Sequence, residues 1–162
     1  MFSTILDAAQ DLPEITVPDE TELITEGVVP GRLLILVSGA VAVSRNGSRF
    51  QVVDEPGTVF GEMSVLLRAP AVATVRTLSE ARLRVADEPT EFLHSRPEVS
   101  LAVAELLARR VEQLLRYLTD IKAQYADRAD HLGVVDVVLE RLAHHQRRPV
   151  EPGSDREQEA PY

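Results

Sequence analysis

The alternation of hydrophobic and polar residues divides the chain into a strand-rich part and a helix-rich part. Residues 21–86 contain short β-branched runs separated by glycine and proline, and each run is too short for a helix. In the last run, Ala81–Ala86, apolar residues alternate with two arginines, which predicts one face in a core and the other in water. Six or more such runs at regular spacing predict a β-sandwich or a β-barrel.

Turn dipeptides predict where the strands begin and end. Asn46-Gly47 separates two of the runs and predicts a two-residue type I′ hairpin. Pro30-Gly31 and Pro56-Gly57 predict the breaks before the run Leu33–Val37 and after the run Arg49–Val53. The strand-rich part is therefore predicted to consist of short strands joined by tight turns.

Residues 87–148 change to helical spacing, and Ser95-Arg96-Pro97-Glu98 predicts a capping box that starts a long helix near residue 96. Along this helix, apolar residues recur at alternating spacings of three and four, as in a heptad seam. The seam consists of Leu107, Val111, Leu114, Leu118, Ile121 and Tyr125. Such a helix packs either on its own barrel or against the same helix of a second chain, and the width of the apolar stripe favours a homodimer.

These patterns predict four segments, and the last is rich in proline and acidic residues, as disordered tails are. They are an N-terminal helix and loop (1–20), a β-barrel (21–95), C-terminal dimerisation helices (96–148) and a disordered tail (149–162).

Composition narrows the classes of function. The chain has 162 residues, no cysteine and a formal net charge of −9, which predicts one acidic domain without disulfides or thiolate metal sites. An acidic surface repels phosphate backbones, so we expect no nucleic acid partner. The uncharged central stretch Leu33–Val43 is far too short to span a bilayer, and the first residues lack the basic and apolar regions of a signal peptide. We therefore expect a soluble, cytoplasmic protein without a membrane partner.

One segment, Phe60–Pro70, occupies a position between two strands where a tight turn would normally suffice. Gly61 and Glu62 open a short predicted helix, whose first amides, those of Met63 and Ser64, are free to bind an anion. Glycine lets a ligand approach the backbone closely, and the carboxylate is suited to a pair of sugar hydroxyls rather than to the anion itself. A phosphorylated sugar fits all three features, although the same residues also occur in purely structural turns.

Short motifs along residues 21–125 suggest a known family. They are Glu26-Gly27, Ser38-Gly39, Pro56-Gly57, Phe60-Gly61-Glu62, Pro70 and Ala73-Thr74-Val75. In order and spacing they resemble the cyclic nucleotide-binding domain, the module of the catabolite activator protein and of protein kinase A regulatory subunits. The resemblance implies a mainly β fold with C-terminal helices: a jelly-roll-like eight-stranded β-barrel (a double-stranded β-helix), a phosphate-binding-cassette helix and a long dimerisation helix.

The same resemblance implies a ligand pocket but no other cofactor. In such domains the glutamate at the position of Glu62 binds the ribose 2′-hydroxyl, and amides matching those of Met63 and Ser64 hold the cyclic phosphate. The implied ligand is cAMP or cGMP. The implied pocket consists of Gly61, Glu62, Met63, Ser64, Ala71, Val72 and Ala73.

The cassette departs from the family at one decisive position. Alanine occupies position 71, where the family carries an arginine that neutralises the phosphate, and Val72 lacks the hydroxyl that some members offer. A charge-assisted hydrogen bond contributes about 1.5–3 kcal/mol, so its loss predicts cyclic nucleotide affinity lower by one to two decades. Arg68 is either a substitute that folds back over the anion or a solvated residue.

No acid, base and nucleophile can be grouped from the sequence, so we expect a non-catalytic protein. His144, His145 and Glu140 lack the spacing of a metal site. Only 37 residues follow Tyr125, and acids equal arginines over 126–148, so no DNA-reading surface is expected.

Three functions remain. The first is a stand-alone sensory domain that binds a cyclic nucleotide or a related small molecule weakly. The second is a degenerate, ligand-free module for dimerisation and for an unknown downstream protein partner. The third is a catabolite-activator-type transcriptional regulator that lacks its DNA-binding domain.

Overall fold

The computed structural model describes residues 2–124 and Val138. These residues form short strands and helices, and the last helix is long. In chain order they are α1 (Phe2–Ala8), β1 (Glu14–Val17), β2 (Glu22–Ile24), β3 (Leu33–Ser38), β4 (Val41–Arg45), β5 (Ser48–Val53), β6 (Val59–Phe60), α2 (Glu62–Leu67), β7 (Thr74–Thr77), β8 (Ala81–Ala86), α3 (Pro89–Ser95) and α4 (Pro97–Gln124).

The strands form two four-stranded sheets with the orders β1-β8-β3-β6 and β2-β7-β4-β5. Every pair in both sheets is antiparallel. In each sheet, non-consecutive strands are neighbours, which means that the chain crosses repeatedly between the sheets. The prediction of a mainly β fold with C-terminal helices is confirmed.

Strand β3 is buried on both of its faces. Leu33, Leu34, Ile35 and Leu36 are each at most 1% exposed. Because successive side chains of a strand point to opposite faces, a strand buried on both sides needs a continuous apolar run instead of an alternating one. The run Leu33–Val37 meets that requirement, and β3 therefore contributes to two separate cores.

The two cores differ in which elements contribute to them: helices contribute to the first, and mainly strands to the second. Leu33 and Ile35 belong to one core, to which α1, α3 and the first turns of α4 also contribute. Leu34 and Leu36 belong to the other, which is built mainly by strand residues of both sheets. The buried members of the first core are Ile5, Ala9, Leu33, Ile35, Val59, Ala86, Phe92, Leu93, Val99, Ala102 and Val103. Those of the second are Ile24, Leu34, Leu36, Val41, Phe60, Ala71, Val75, Ala81, Leu83 and Val85.

The predicted hairpin at Asn46-Gly47 is confirmed. Both residues have positive φ angles, 50° and 75°, as a type I′ turn requires. Two strands, β1 and β6, are not predicted by the sequence pattern. They have four and two residues, and each pairs with a longer strand, β8 or β3.

The long helix begins at Pro97, which agrees with the predicted start near residue 96. The predicted capping box is wrong, because Ser95 is the last residue of a separate helix, α3. Its hydroxyl donates to the carbonyl of Phe92 at 3.3 Å, and no bond joins Ser95 to Glu98 in the described chain. The carbonyl of Arg96 instead accepts the first helical bonds of α4, from the amides of Val99 and Ser100.

The chain divides into two compact units, residues 1–108 and 109–162. Both sheets and both cores lie in the first unit. In the second unit the structure describes the rest of α4 and Val138. Tyr125 of the predicted seam, the predicted helices of 126–148 with their histidines, and the predicted tail 149–162 lie outside the described residues. None of the described helices combines the length and the hydrophobicity that crossing a membrane requires.

Candidate ligand-binding site

The candidate site begins where β6 ends and α2 starts. Gly61 links the two elements with a φ of 91°, a left-handed conformation that favours glycine. A β-carbon at this position would lie 2.8 Å from the carbonyl oxygen of Arg32. Glycine is therefore required both for the turn and for the close approach of the loop between β2 and β3.

The first turn of α2 presents a buried carboxylate and free amides. Glu62 and Ser64 are 4% and 6% exposed, and Met63 is half-buried. The first backbone bond of the helix joins the amide of Val65 to the carbonyl of Gly61 at 3.1 Å. Within the described chain, no hydrogen bond engages the amides of Met63 and Ser64. A buried carboxylate and two amides without a hydrogen-bond acceptor in the described chain therefore lie side by side at this turn.

The other end of α2 is closed by an arginine in an unusual backbone conformation. Arg68 has φ 52° and ψ 45°, and its amide donates to the carbonyl of Ser64. Helices commonly end with glycine or asparagine in this left-handed conformation, because a β-carbon makes it less favourable. The side chain of Arg68 is exposed.

The predicted site has two arms, residues 61–64 and residues 71–73, and the second arm follows Pro70. The amide of Ala71 donates to the carbonyl of Val28 at 2.9 Å, and the carbonyl of Ala71 accepts from the amide of Gly27 at 2.8 Å. The amide of Glu26 donates to the hydroxyl of Thr74 at 3.0 Å. These bonds attach residues 71–74 to the loop between β2 and β3.

The two predicted arms therefore share one neighbour. Gly61 approaches the loop at Arg32, and Ala71 is bonded to it at Gly27 and Val28. Residues 26–32 were not among the predicted ligand residues, although Glu26-Gly27 and Pro30-Gly31 mark them as turns. Their importance follows from pairings between segments far apart in the sequence, which no local pattern reveals.

Around the second arm the side chains are small or apolar. Ala71 is 7% exposed and belongs to the core between strands of both sheets. Val72 is 44% exposed, and Ala73 is half-buried. Exposed Val28 and Val29 continue this apolar surface on the neighbouring loop.

Arg76, the arginine that follows this arm on β7, is bonded to residues outside the predicted site. Its guanidinium forms an ion pair with Glu22 at 2.7 Å and donates to the carbonyl of Glu20 at 3.1 Å. Position 76 therefore does not supply the cation that alanine at position 71 lacks.

Metal binding has no candidate in the described part of the chain. No group of three histidine or carboxylate side chains there is placed to hold an ion. His94 is exposed in the last turn of α3. The remaining histidines, with Glu140, lie outside the described residues.

Comparison with known proteins shows what the chain is similar to. The model of the cyclic nucleotide-binding domain matches residues 14–90. Among curated proteins, the chain is similar to the CRP-like cAMP-activated global transcriptional regulators of two Mycobacterium tuberculosis strains. Each is 26% identical over 125 residues, 74% of this chain and 56% of the regulator. The chain thus spans little more than half the length of these relatives.

The chain is also similar to solved structures of regulatory proteins. The N-terminal domain of a transcriptional regulator from Streptomyces coelicolor A3(2) is 27% identical, with a TM-score of 0.51 over 69% of this chain and 84% of that domain. The Thermus thermophilus catabolite activator protein shares the fold, with 21% identity and a TM-score of 0.59 over 77% of this chain and 59% of that one. A cAMP-bound PfPKA-R shares it as well, with 19% identity and a TM-score of 0.55 over 74% of this chain and 45% of that one.

Proposed function

We propose that this chain, whose residues 14–90 form a domain of the cyclic nucleotide-binding family, is a non-catalytic sensory module that binds a cyclic nucleotide or a related small molecule. In this proposal the two sheets close into a jelly-roll-like barrel around the ligand. The occupied module signals in the cytoplasm, through a homodimer and a downstream protein partner.

One observation carries the proposal: a carboxylate is buried at the start of α2, beside amides that have no partner in the described chain. Glu62 is 4% exposed there, next to the amides of Met63 and Ser64. Binding a ribose 2′-hydroxyl through Glu62 and a cyclic phosphate through the amides uses both features.

We expect the affinity to be low because Ala71 supplies no positive charge. The neighbouring Arg76 is held by Glu22 and the carbonyl of Glu20. Without a charge-assisted bond of about 1.5–3 kcal/mol, the dissociation constant should be about 10 to 100 times higher than in an arginine-containing pocket.

The test is calorimetric titration of the full chain with cAMP and with cGMP. Glu62→Gln should weaken binding about tenfold, since a hydrogen bond to a charged acceptor contributes about 1.5–3 kcal/mol. Glu55→Gln, at an exposed carboxylate in the turn before β6, is the matched control and should bind as the unmodified chain does. Equal affinities for both variants would contradict the assignment of Glu62.

A gain-of-function variant tests the role of position 71. Ala71→Arg should tighten cAMP binding by about one decade or more, because it restores the missing charge. Val72→Arg adds the same charge at the adjacent exposed position and should leave the affinity nearly unchanged. Thermal melting of both variants establishes that they are folded. An Ala71→Arg variant that is folded and binds no tighter would contradict the proposed phosphate position.

A second candidate function is a ligand-free dimerisation and protein-interaction module. The observation that favours it is the apolar environment of Ala71, which leaves an anion without a cation at this position. A folded dimer that gives no heat with millimolar cAMP or cGMP, and none after Ala71→Arg, would support this candidate over the first.

A further inference from the structure

A cavity of about 310 Å³ lies between α2, α3 and α4 within the first unit of the chain. None of the seven predicted nucleotide-binding residues lines it. Its volume is at the lower end of the range for small-molecule pockets, about 300–1,000 Å³. The lining residues are Val65, Leu66, Arg68, Thr90, Leu93, His94, Ser100, Val103, Ala104 and Leu107.

The buried part of the cavity lining is largely apolar, and three of the exposed lining residues are polar. Leu93 and Val103 are 6% and 1% exposed, and they form its buried part together with half-buried Val65 and Leu107. The polar side chains of Arg68, Thr90 and His94 are exposed, so they lie at the solvent side. Such a division suits a ligand that has an apolar body and a polar head.

The side chains at the rim favour a ligand whose polar head is negatively charged. Arg68 and His94 are the titratable residues of the lining, and none of the described lining residues is acidic. This is notable in a chain whose formal net charge is −9. Within the described chain, the side chain of Arg68 forms no hydrogen bond or ion pair, so its guanidinium is available to a ligand.

The backbone at position 68 gives independent support. Arg68 ends α2 in a left-handed conformation, which costs a residue with a β-carbon about 1–2 kcal/mol relative to glycine. Glycine or asparagine is the usual residue for this role. A costly arginine at the rim of an apolar cavity points to a function of its side chain.

We propose that the cavity binds an amphipathic carboxylate, a medium-length alkyl chain whose carboxylate contacts Arg68 at the rim. The alkyl chain occupies the space between Val65, Leu93, Val103 and Leu107. This site is separate from the nucleotide pocket, and its occupation stabilises α2, which forms one wall of the cavity and begins with Glu62.

The first experiment measures binding of straight-chain carboxylates from butanoate to dodecanoate, below their micellar concentrations, by calorimetry on the full chain. Each methylene that enters the cavity should raise the affinity about fourfold, and the rise should stop when the cavity is filled. A stoichiometry of one per chain and a plateau support the proposal. Binding that is absent, or that grows without a plateau, overturns it.

The second experiment tests the charge. Octanoate should bind at least about threefold more tightly than octan-1-ol, and Arg68→Gln should abolish this difference while Arg68→Lys retains it. Arg49→Gln, at an exposed arginine of β5, is the control and should have no effect. Equal binding of octanoate and octan-1-ol to the unmodified chain contradicts the proposed role of Arg68.

The third experiment locates the site. Ala104→Trp places a bulky side chain in the exposed part of the lining and should reduce octanoate affinity at least about tenfold. Glu105→Trp, at the next exposed position of α4, is outside the lining and should retain binding. Glu62→Gln should also retain it, which separates this site from the nucleotide pocket. If Ala104→Trp and Glu105→Trp bind octanoate equally, the ligand lies elsewhere and the proposal fails.

Discussion

At the scale of single residues, Gly61 has two separate reasons to be glycine. Its φ of 91° is unfavourable for any residue with a β-carbon, and an added β-carbon would also contact the carbonyl of Arg32 at 2.8 Å. Neither reason depends on a bound ligand. The residue is therefore a structural requirement of the corner at which the candidate site begins.

We predict that Gly61→Ala lowers the free energy of unfolding by about 2–4 kcal/mol, since strain and overlap act together. Gly27→Ala is the matched control, because Gly27 has a φ of 79° but open space around its missing β-carbon. It should cost only about 1–2 kcal/mol. Urea denaturation of the three proteins measures both values. Equal losses would show that contact with Arg32 contributes nothing.

The sequence is informative about one arm of the site and much less about the other. Gly61 to Ser64 can be recognised locally, since a glycine, an acid and a short helix follow each other directly. Ala71 is recognisable only as a departure from a family motif. Its bonds to Gly27 and Val28 join distant segments, so they depend on the sheet topology and not on local sequence.

At the scale of elements, a strand or helix is easiest to predict when it is long and its apolar residues recur at a regular spacing. β3 and β8 carry long, clear patterns, whereas β1 and β6 are short strands that each pair with a longer one. The boundary between α3 and α4 is also obscured, because both helices start at a proline and Arg96 alone separates them.

Helix α4 leaves apolar side chains exposed in a single chain. Val111 and Leu114 of the predicted seam are 47% and 46% exposed. Leu118 and Ile121 are half-buried. Burying such side chains against a second helix would stabilise a dimer by about 25 cal/mol for each Å² removed from water.

We predict that the unmodified chain is a dimer and that Leu114→Glu is a monomer, because the substitution would place like charges in the apolar seam. Gln113→Glu adds the same charge at an exposed position outside the seam and should leave the dimer intact. Sedimentation equilibrium at tens of micromolar protein distinguishes the two. If the unmodified chain is already a monomer at that concentration, the seam is not an interface.

At the scale of the whole molecule, the buried members of both cores found among the described residues lie within residues 5–103. The division of the chain at Ala108 therefore falls after the last of them. The fold of the first unit should depend little on the residues that follow.

We predict that the fragment 1–108 unfolds cooperatively, with a Tm within about 5 °C of the same transition in the full chain, since a loss of 1 kcal/mol shifts Tm by about 4–8 °C in a domain of this size. The fragment should also be monomeric, because most of the predicted seam is removed. Circular dichroism and sedimentation measure the two properties. A fragment without a cooperative transition would show that the later residues are needed for folding.

The central strand has a consequence for recognising distant relatives. Leu33–Leu36 contributes side chains to two cores at once, so it tolerates little change on either of its faces. Distant relatives of this domain should therefore be traceable by an uninterrupted four-residue aliphatic stretch placed between two glycine turns, even where little else of the sequence is shared.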